Sequence, residues 1–181
     1  MKKTGIVLAV VAVAIFAFVA YSGIFYSVTV EEREVGPYTM ILKAHRGSYY
    51  GTAKVFEEVT GALKAHLDTD KLVGVGIYYD DPAQVKAEEL RSECGFIIEA
   101  RDLPKIAPLR GSFIIKNFPK TNCVACDFPV RTPLAYMLGP SRAYPKLGEY
   151  IEEKKYTAEY GMEIYYNSEK KITYCMPVMK K

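Results

Sequence analysis

Apolar residues dominate the first two dozen positions and then break into short alternating runs. From Gly5 to Tyr21 the chain carries no charge, and apolar character continues through Ile24, Phe25 and Tyr26 with only Ser22 and Gly23 between. About 20 residues rising about 1.5 Å each cross a hydrocarbon core of about 30 Å, so residues 1–26 are predicted to form a transmembrane anchor. A cleaved signal peptide competes with that reading. Lys2 and Lys3 supply its basic start, but a cut after Ala20 would put the bulky Phe18 near the cleavage site, and Tyr21, Phe25 and Tyr26 suit an interfacial belt.

Residues 27–181 are predicted to be one domain in which a pattern occurs twice. Gly76-Ile77-Tyr78-Tyr79-Asp80-Asp81-Pro82 is echoed by Glu163-Ile164-Tyr165-Tyr166-Asn167-Ser168-Glu169, and each is followed by a second strand-like run, Cys94 to Glu99 and Lys171 to Val178. Upstream of the first echo, Val55, Val59, Leu63 and Leu67 recur every four residues with Lys54, Glu57, Glu58 and Lys64 elsewhere, the mark of an amphipathic helix. Upstream of the second, a helical run from Thr132 meets Gly139-Pro140 and resumes from about Tyr144 to Lys154, which predicts a kink or two shorter helices. Strands at Val35 to Ala44 and Asn122 to Val130 precede the two helices. The expected fold is therefore α+β. It has duplicated β-α-β-β units at about 34–100 and 120–179, an antiparallel sheet with helices on one face, and a join near Asp102 to Pro108.

Strand alternation assigns faces, because residues two apart share a side. Val73, Val75, Ile77, Met162 and Ile164, with Ile172, Tyr174, Met176 and Val178, are expected under the helices. That leaves Gly74, Gly76, Tyr78, Glu163, Tyr165, Thr173 and Cys175 on an open face, a glycine floor edged by phenols with one carboxylate, suited to a flat or cationic small molecule. The alternative is that Glu163 is solvated, the tyrosines are ordinary strand residues and the glycines mark a bulge.

Charge and motifs narrow the choice. A net charge of +3 from 24 basic and 21 acidic residues offers no basic stripe, so nucleic acid is not expected as a partner, and Lys180 and Lys181 are read as a solubilising end. Lys2 and Lys3 precede the span and the first basic residue after it is Arg33, so the N-terminus is expected to be cytoplasmic and the domain non-cytoplasmic. Cys123-Val124-Ala125-Cys126 on a strand points its thiols to opposite faces, which argues against a redox or zinc site, and His45 and His66 lie near no cysteine in sequence. No metal and no cofactor is expected. In an oxidising compartment Cys123 with Cys175 is the first candidate bridge.

The twofold strand, helix, strand, strand order, Tyr78-Tyr79-Asp80-Asp81-Pro82 and the closing Ile172-Thr173-Tyr174-Cys175-Met176-Pro177-Val178 resemble the GyrI-like domain, also found as the effector-binding domain of multidrug-responsive regulators. Tyr21-Ser22-Gly23, the Gly47 to Gly51 run, Tyr150-Ile151 and Glu163-Ile164-Tyr165 look like a membrane-anchored member of that family. The resemblance implies a cleft between the two units that binds small, often cationic or planar molecules, in most members without catalysis. The family's recurrent glutamate in the last strand is Thr173 here, with Glu163 as the substitute. The anchored member's autophagy-receptor role resides in a C-terminal segment beyond the domain and is not carried over, and its cytosolic domain opposes the charge-based orientation. Two other readings stay open. One is a membrane-anchored protein-interaction adaptor. The other is a hydrolase in which Glu163 acts as general base on water with Tyr78 or Tyr165.

Overall fold

In the computed structural model, which describes residues 2–180, helix α1 (Lys2–Val19) runs into a π-turn at Ala20–Ile24. Lys181 lies outside the described residues, as do the side chains of Lys2 and Lys3. Then follow β1 (Glu31–Val35), β2 (Tyr38–Arg46), α2 (Thr52–Leu63), β3 (Val73–Tyr78), β4 (Arg91–Ile98), β5 (Ile114–Phe118), β6 (Thr121–Pro129), α3 (Ala135–Glu153), β7 (Tyr156–Thr157), β8 (Gly161–Tyr166), β9 (Lys171–Pro177) and β10 (Met179–Lys180). The strand, helix, strand, strand order occurs as β2-α2-β3-β4 and as β6-α3-β8-β9.

Eight strands form one antiparallel sheet in the order β1-β6-β9-β8-β3-β4-β2-β5. Only Gly36 and Pro37 join β1 to β2, yet those strands lie near opposite ends of the sheet; Pro119 and Lys120 join β5 to β6 in the same way. Connections that short require the sheet to curl until its ends approach each other. The curl encloses a core of Val35, Met40, Leu42, Val75, Ile77, Phe118, Ala125, Met162, Ile164 and Cys175. The outer face carries both helices: α2 seats Val59 and Leu63 on Ile41, Phe96 and Ile98, and α3 seats Ala135, Ala143 and Leu147 on Val124, Phe128, Ile172 and Tyr174.

This architecture corrects the face assignment. Val75, Ile77, Met162 and Ile164 fill the inside of the curl, and Gly74, Gly76, Tyr78, Glu163 and Tyr165 lie on the helix-bearing side. Because both faces of a central strand are buried, apolar side chains no longer mark the helix side. Ile172 and Tyr174 do pack under a helix, as expected. Of the two readings of the Gly139-Pro140 step, separate helices are excluded, since α3 is one helix through Pro140 and Pro145. Its buried Ala135, Gly139, Ala143 and Leu147 recur every four residues and hold it against the sheet. The strand placement of Cys123-x-x-Cys126 holds, with Cys123 inside the curl and Cys126 under α3; all four thiols are free.

Inside one mouth of the curl Arg33 Nη2 donates to Asp127 Oδ1 at 2.6 Å, and Thr173 Oγ1 donates to the same oxygen at 2.6 Å. Burial alone would raise the Asp127 pKa, but the hydrogen bonds from Arg33 and Thr173 outweigh it and hold the carboxyl below its usual range. A depressed acid stabilises the fold above its unfolded pKa, and that contribution is lost as the pH falls through the lower folded value. Arg33→Ala is therefore expected to lower stability by about 1 kcal/mol at pH 7, the pair being about a third exposed, and by less at pH 3. Urea denaturation at the two pH values measures it, and an equal loss at both would refute the pairing.

Candidate functional site

β3 and β8 meet at the centre of the sheet in a register that opposes a glycine to each large side chain: Gly74 to Tyr165, Gly76 to Glu163 and Tyr78 to Gly161. The missing side chains are the space the rings occupy. A Cβ on Gly76 would lie 2.8 Å from the Tyr78 ring, one on Gly74 3.2 Å from that of Tyr165, and one on Gly161 2.7 Å from that of Tyr144 of α3. Tyr78 and Tyr165, 87 residues apart, occupy matching positions in the two halves and meet hydroxyl to hydroxyl at 2.9 Å.

Glu163 sits at the point these rings converge on. Tyr165 donates to its Oε2 at 2.8 Å and Tyr144 to its Oε1 at 3.0 Å. Tyr165 has a single proton and gives it to the carboxylate, so Tyr78 must be the donor to Tyr165. Phe56 of α2 and Tyr136 of α3 flank Tyr165 at centroid distances of 5.5 and 6.1 Å, Tyr49 meets Tyr78 edge-on at 4.9 Å, and Tyr144 meets Tyr174 at 5.7 Å. Tyr49 is itself fixed, donating to the Asp80 carbonyl at 2.9 Å.

Electrostatically this is a buried acid without a cation. Burial raises the Glu163 pKa to about 7, and the Tyr165 and Tyr144 hydroxyls oppose the rise; among the described residues no lysine or arginine enters the balance. Burial, with the Glu163 charge second, pushes the Tyr78, Tyr144 and Tyr165 phenols well above their ordinary value. Cys94, paired with Gly76 across the sheet, has its thiol pushed up to about 12, chiefly by burial. Such a site holds a carboxylate and several π faces away from water, the arrangement that attracts a desolvated cation.

Of the residues read from the sequence, five converge here: Gly74, Gly76, Tyr78, Glu163 and Tyr165. Thr173 and Cys175 do not. Glu163 pairs with Tyr174, so its neighbours on β9 point the other way, Thr173 to Asp127 and Cys175 into the inner core. The sequence reading missed Tyr49, Phe56, Cys94, Tyr136 and Tyr144. Tyr136 and Tyr144 lie two turns apart on α3 and share a side, a signal hidden by the prolines between and after them. A separate cavity of about 420 Å³ opens on the inner face beside Ile77, Tyr79, Lys116 and Tyr160, and none of the ring cluster lines it. Its lysine is already paired with Glu93.

Comparison with known proteins places the fold. The model of the GyrI-like small molecule binding domain matches residues 29–179. The mouse testis-expressed protein 264 homolog is 32% identical over 173 residues, covering 91% of this chain and 53% of that protein, so the chain spans about half the length of this curated relative. Among solved structures, the EcmrR C-terminal domain superposes with a TM-score of 0.60 at 12% identity, covering 85% of this chain and 99% of that one. The structure of SAV2435 bound to tetraphenylphosphonium superposes at 0.54 with 11% identity, over 83% and 94% of the two chains. At those identities the likeness is one of fold.

Proposed function

Since this chain belongs to the GyrI-like family of small molecule binding domains, we propose that it is a membrane-tethered, non-catalytic member that captures a lipophilic cation between its two β-α-β-β halves. The observation that carries this reading is Glu163, buried at 7% exposure among Tyr78, Tyr144 and Tyr165 with no cationic partner among the described residues. A bound cation would supply the missing charge and stack on the rings as they turn to admit it. Both carboxylate oxygens already accept phenolic hydrogen bonds, which favours holding a charge over activating a water.

The tether is supported by the span Thr4–Ile24, 21 residues long and apolar enough to cross a membrane. Domain bounds of 27–181 follow from it. In the closed state the rings themselves fill the space over Gly74 and Gly76, so a ligand enters by displacing them, with the half-exposed Tyr136 the outermost ring over Tyr165.

Tetraphenylphosphonium, the ligand named for SAV2435, is the probe of choice. With the full chain in lipid nanodiscs at pH 8, a cation at about 100 times its Kd should add about 2.7 kcal/mol, or roughly 5–10 °C in Tm. No shift with this cation or with a panel of planar ones would end the reading.

A further inference from the structure

We infer that the domain is not a free body on a tether but lies with the first turn of α3 against the lipid headgroups, so that the outer ring of the tyrosine cluster faces the membrane interface. The inference rests on the tethered reading above and specifies which surface meets lipid.

The joint between anchor and domain is built from several independent contacts. Ser22 is fully buried; its hydroxyl donates to the Phe18 carbonyl at 2.7 Å and accepts from Thr132 Oγ1 at 2.8 Å. Arg131 Nη1 donates to the Tyr21 carbonyl at 3.4 Å, and its guanidinium lies 5.8 Å from the Tyr21 ring centre. Gly23, at φ +106°, brings its backbone onto Phe128, where a Cβ would meet Cζ at 2.8 Å. Arg142 Nε reaches the Tyr26 carbonyl at 3.4 Å, and Tyr26 packs edge-on against Phe128 at 5.4 Å. A chain that leaves the bilayer through such contacts carries the start of α3 with it.

The surface at that joint has the chemistry of an interface. Phe25 is 67% exposed, Met137 63% and Tyr136 46%. Phe25 leans back on Phe16 of the span at 6.1 Å, which makes the exposed patch continuous with the apolar helix. Tyrosine and phenylalanine at the edge of a span, with Arg131 and Arg142 beside them, match the headgroup zone of an anionic leaflet. Further along α3 the exposed side chains include Lys146, Glu149, Glu152 and Glu153, and the large exposed apolar ones, Tyr136 and Met137, stay in the first turn. Tyr136 belongs both to this patch and to the cluster, through its ring over Tyr165. A ligand already partitioned into the bilayer would therefore meet the cluster without crossing bulk water.

Depth-dependent quenching tests the inference. The full chain, reconstituted in phosphatidylcholine–phosphatidylserine vesicles containing headgroup-proximal spin-labelled lipid, carries an environment-sensitive fluorophore at Met137→Cys, at Glu153→Cys or at Val10→Cys. Glu153 lies at the far end of the same helix, roughly 24 Å from Met137 at about 1.5 Å per residue. Quenching at Met137 should exceed that at Glu153 at least threefold. In the background Arg131→Ala with Thr132→Val it should fall to the Glu153 level, while Val10 keeps its lipid signal. Equal quenching at Met137 and Glu153 with Val10 in lipid overturns the docked face and leaves the tether standing. Val10 reading water overturns the tether, and the docked face with it. Met137 points outward, so retention of the wild-type Tm in the labelled protein shows that a negative result is not misfolding.

Discussion

Replacing Glu163 by glutamine is expected to remove most of the pH dependence of stability between pH 4.5 and 7 and to weaken lipophilic cation binding at least tenfold. In the unfolded chain the carboxyl titrates near 4.5, and in the fold burial lifts it to about 7. Below 4.5 both states hold the proton and the group contributes its full stability. As the pH rises from there the unfolded state ionises while the fold must keep the proton or bury a charge, so stability falls until about pH 7 and then levels off. The gap corresponds to about 3 kcal/mol at 1.36 kcal/mol per unit. Glutamine has no charge to bury, but its single oxygen can accept from only one of Tyr144 and Tyr165, and the other phenol faces an amide group that cannot accept its proton, a loss of about 1–2 kcal/mol. The variant should therefore be more stable than wild type at pH 8 by about 1–2 kcal/mol and less stable at pH 4.5. Cation binding uses the ionised form, so wild-type affinity should climb as the pH rises through about 7 with release of a proton, and the glutamine variant should show neither the climb nor the release. Thermal denaturation and calorimetric titration across that range read both. Parallel stability curves for the two proteins would show that Glu163 is solvated and would remove the basis for a cation site.

The physics that hides this acid also decided how much of the molecule could be read from its sequence. Local periodicity was sufficient for Val55, Val59 and Leu63, whose four-residue spacing survives as the buried stripe of α2. The echo of Tyr78 in Tyr165 was sufficient to bring the two central strands to notice. What could not be read locally is curl. A flat sheet with helices on one face puts its apolar side chains under the helices, and that assumption sent Val75 and Ile164 to the wrong side. Once the sheet closes on itself the inner face needs no helix to bury it, and apolar residues move there. The helix side then becomes the place for glycine opposite tyrosine. The edge strands fail for a related reason: β1 pairs with β6 of the other half and β5 with β2, an exchange that leaves no trace in either short segment. Tyr144 was out of reach because Gly139-Pro140 argued for a kink or a break just before it, and its role depends on a carboxylate nineteen residues away. Glu163 was found because alternation grouped it with Gly76, Tyr78 and Tyr165 on one face, and that grouping survives the change of face.

Gly95→Ala should be the most disruptive small substitution in the molecule, lowering stability by about 3 kcal/mol or more, or roughly 6–12 °C in Tm. Gly95 stands on β4 between Val75 and Leu42, on the inside of the curl. The added methyl would overlap the Ile41 carbonyl oxygen and lie 3.0 Å from the Leu42 Cα. Where the obstructing atom is a side-chain tip, as with Tyr78 over Gly76, rotation relieves the clash. Here the obstruction is the main chain of β2, and β2 cannot retreat alone because it is bonded to β4 on one side and to β5 on the other. Moving it would open the curl, and the curl sets the angle at which α2 stands to α3 across the tyrosines. The expected signature is therefore double. Thermal unfolding shifts down, and the variant that remains folded loses the pH dependence assigned to Glu163, because water enters as the helices separate. Gly61→Ala, on the exposed side of α2 with nothing within 4 Å of the new methyl, is the control and should stabilise by about 0.5–1 kcal/mol through helix propensity. If Gly95→Ala proved as mild as that control, the close approach of β2 to β4 would not exist in solution, and the curl that organises the site would be looser than described.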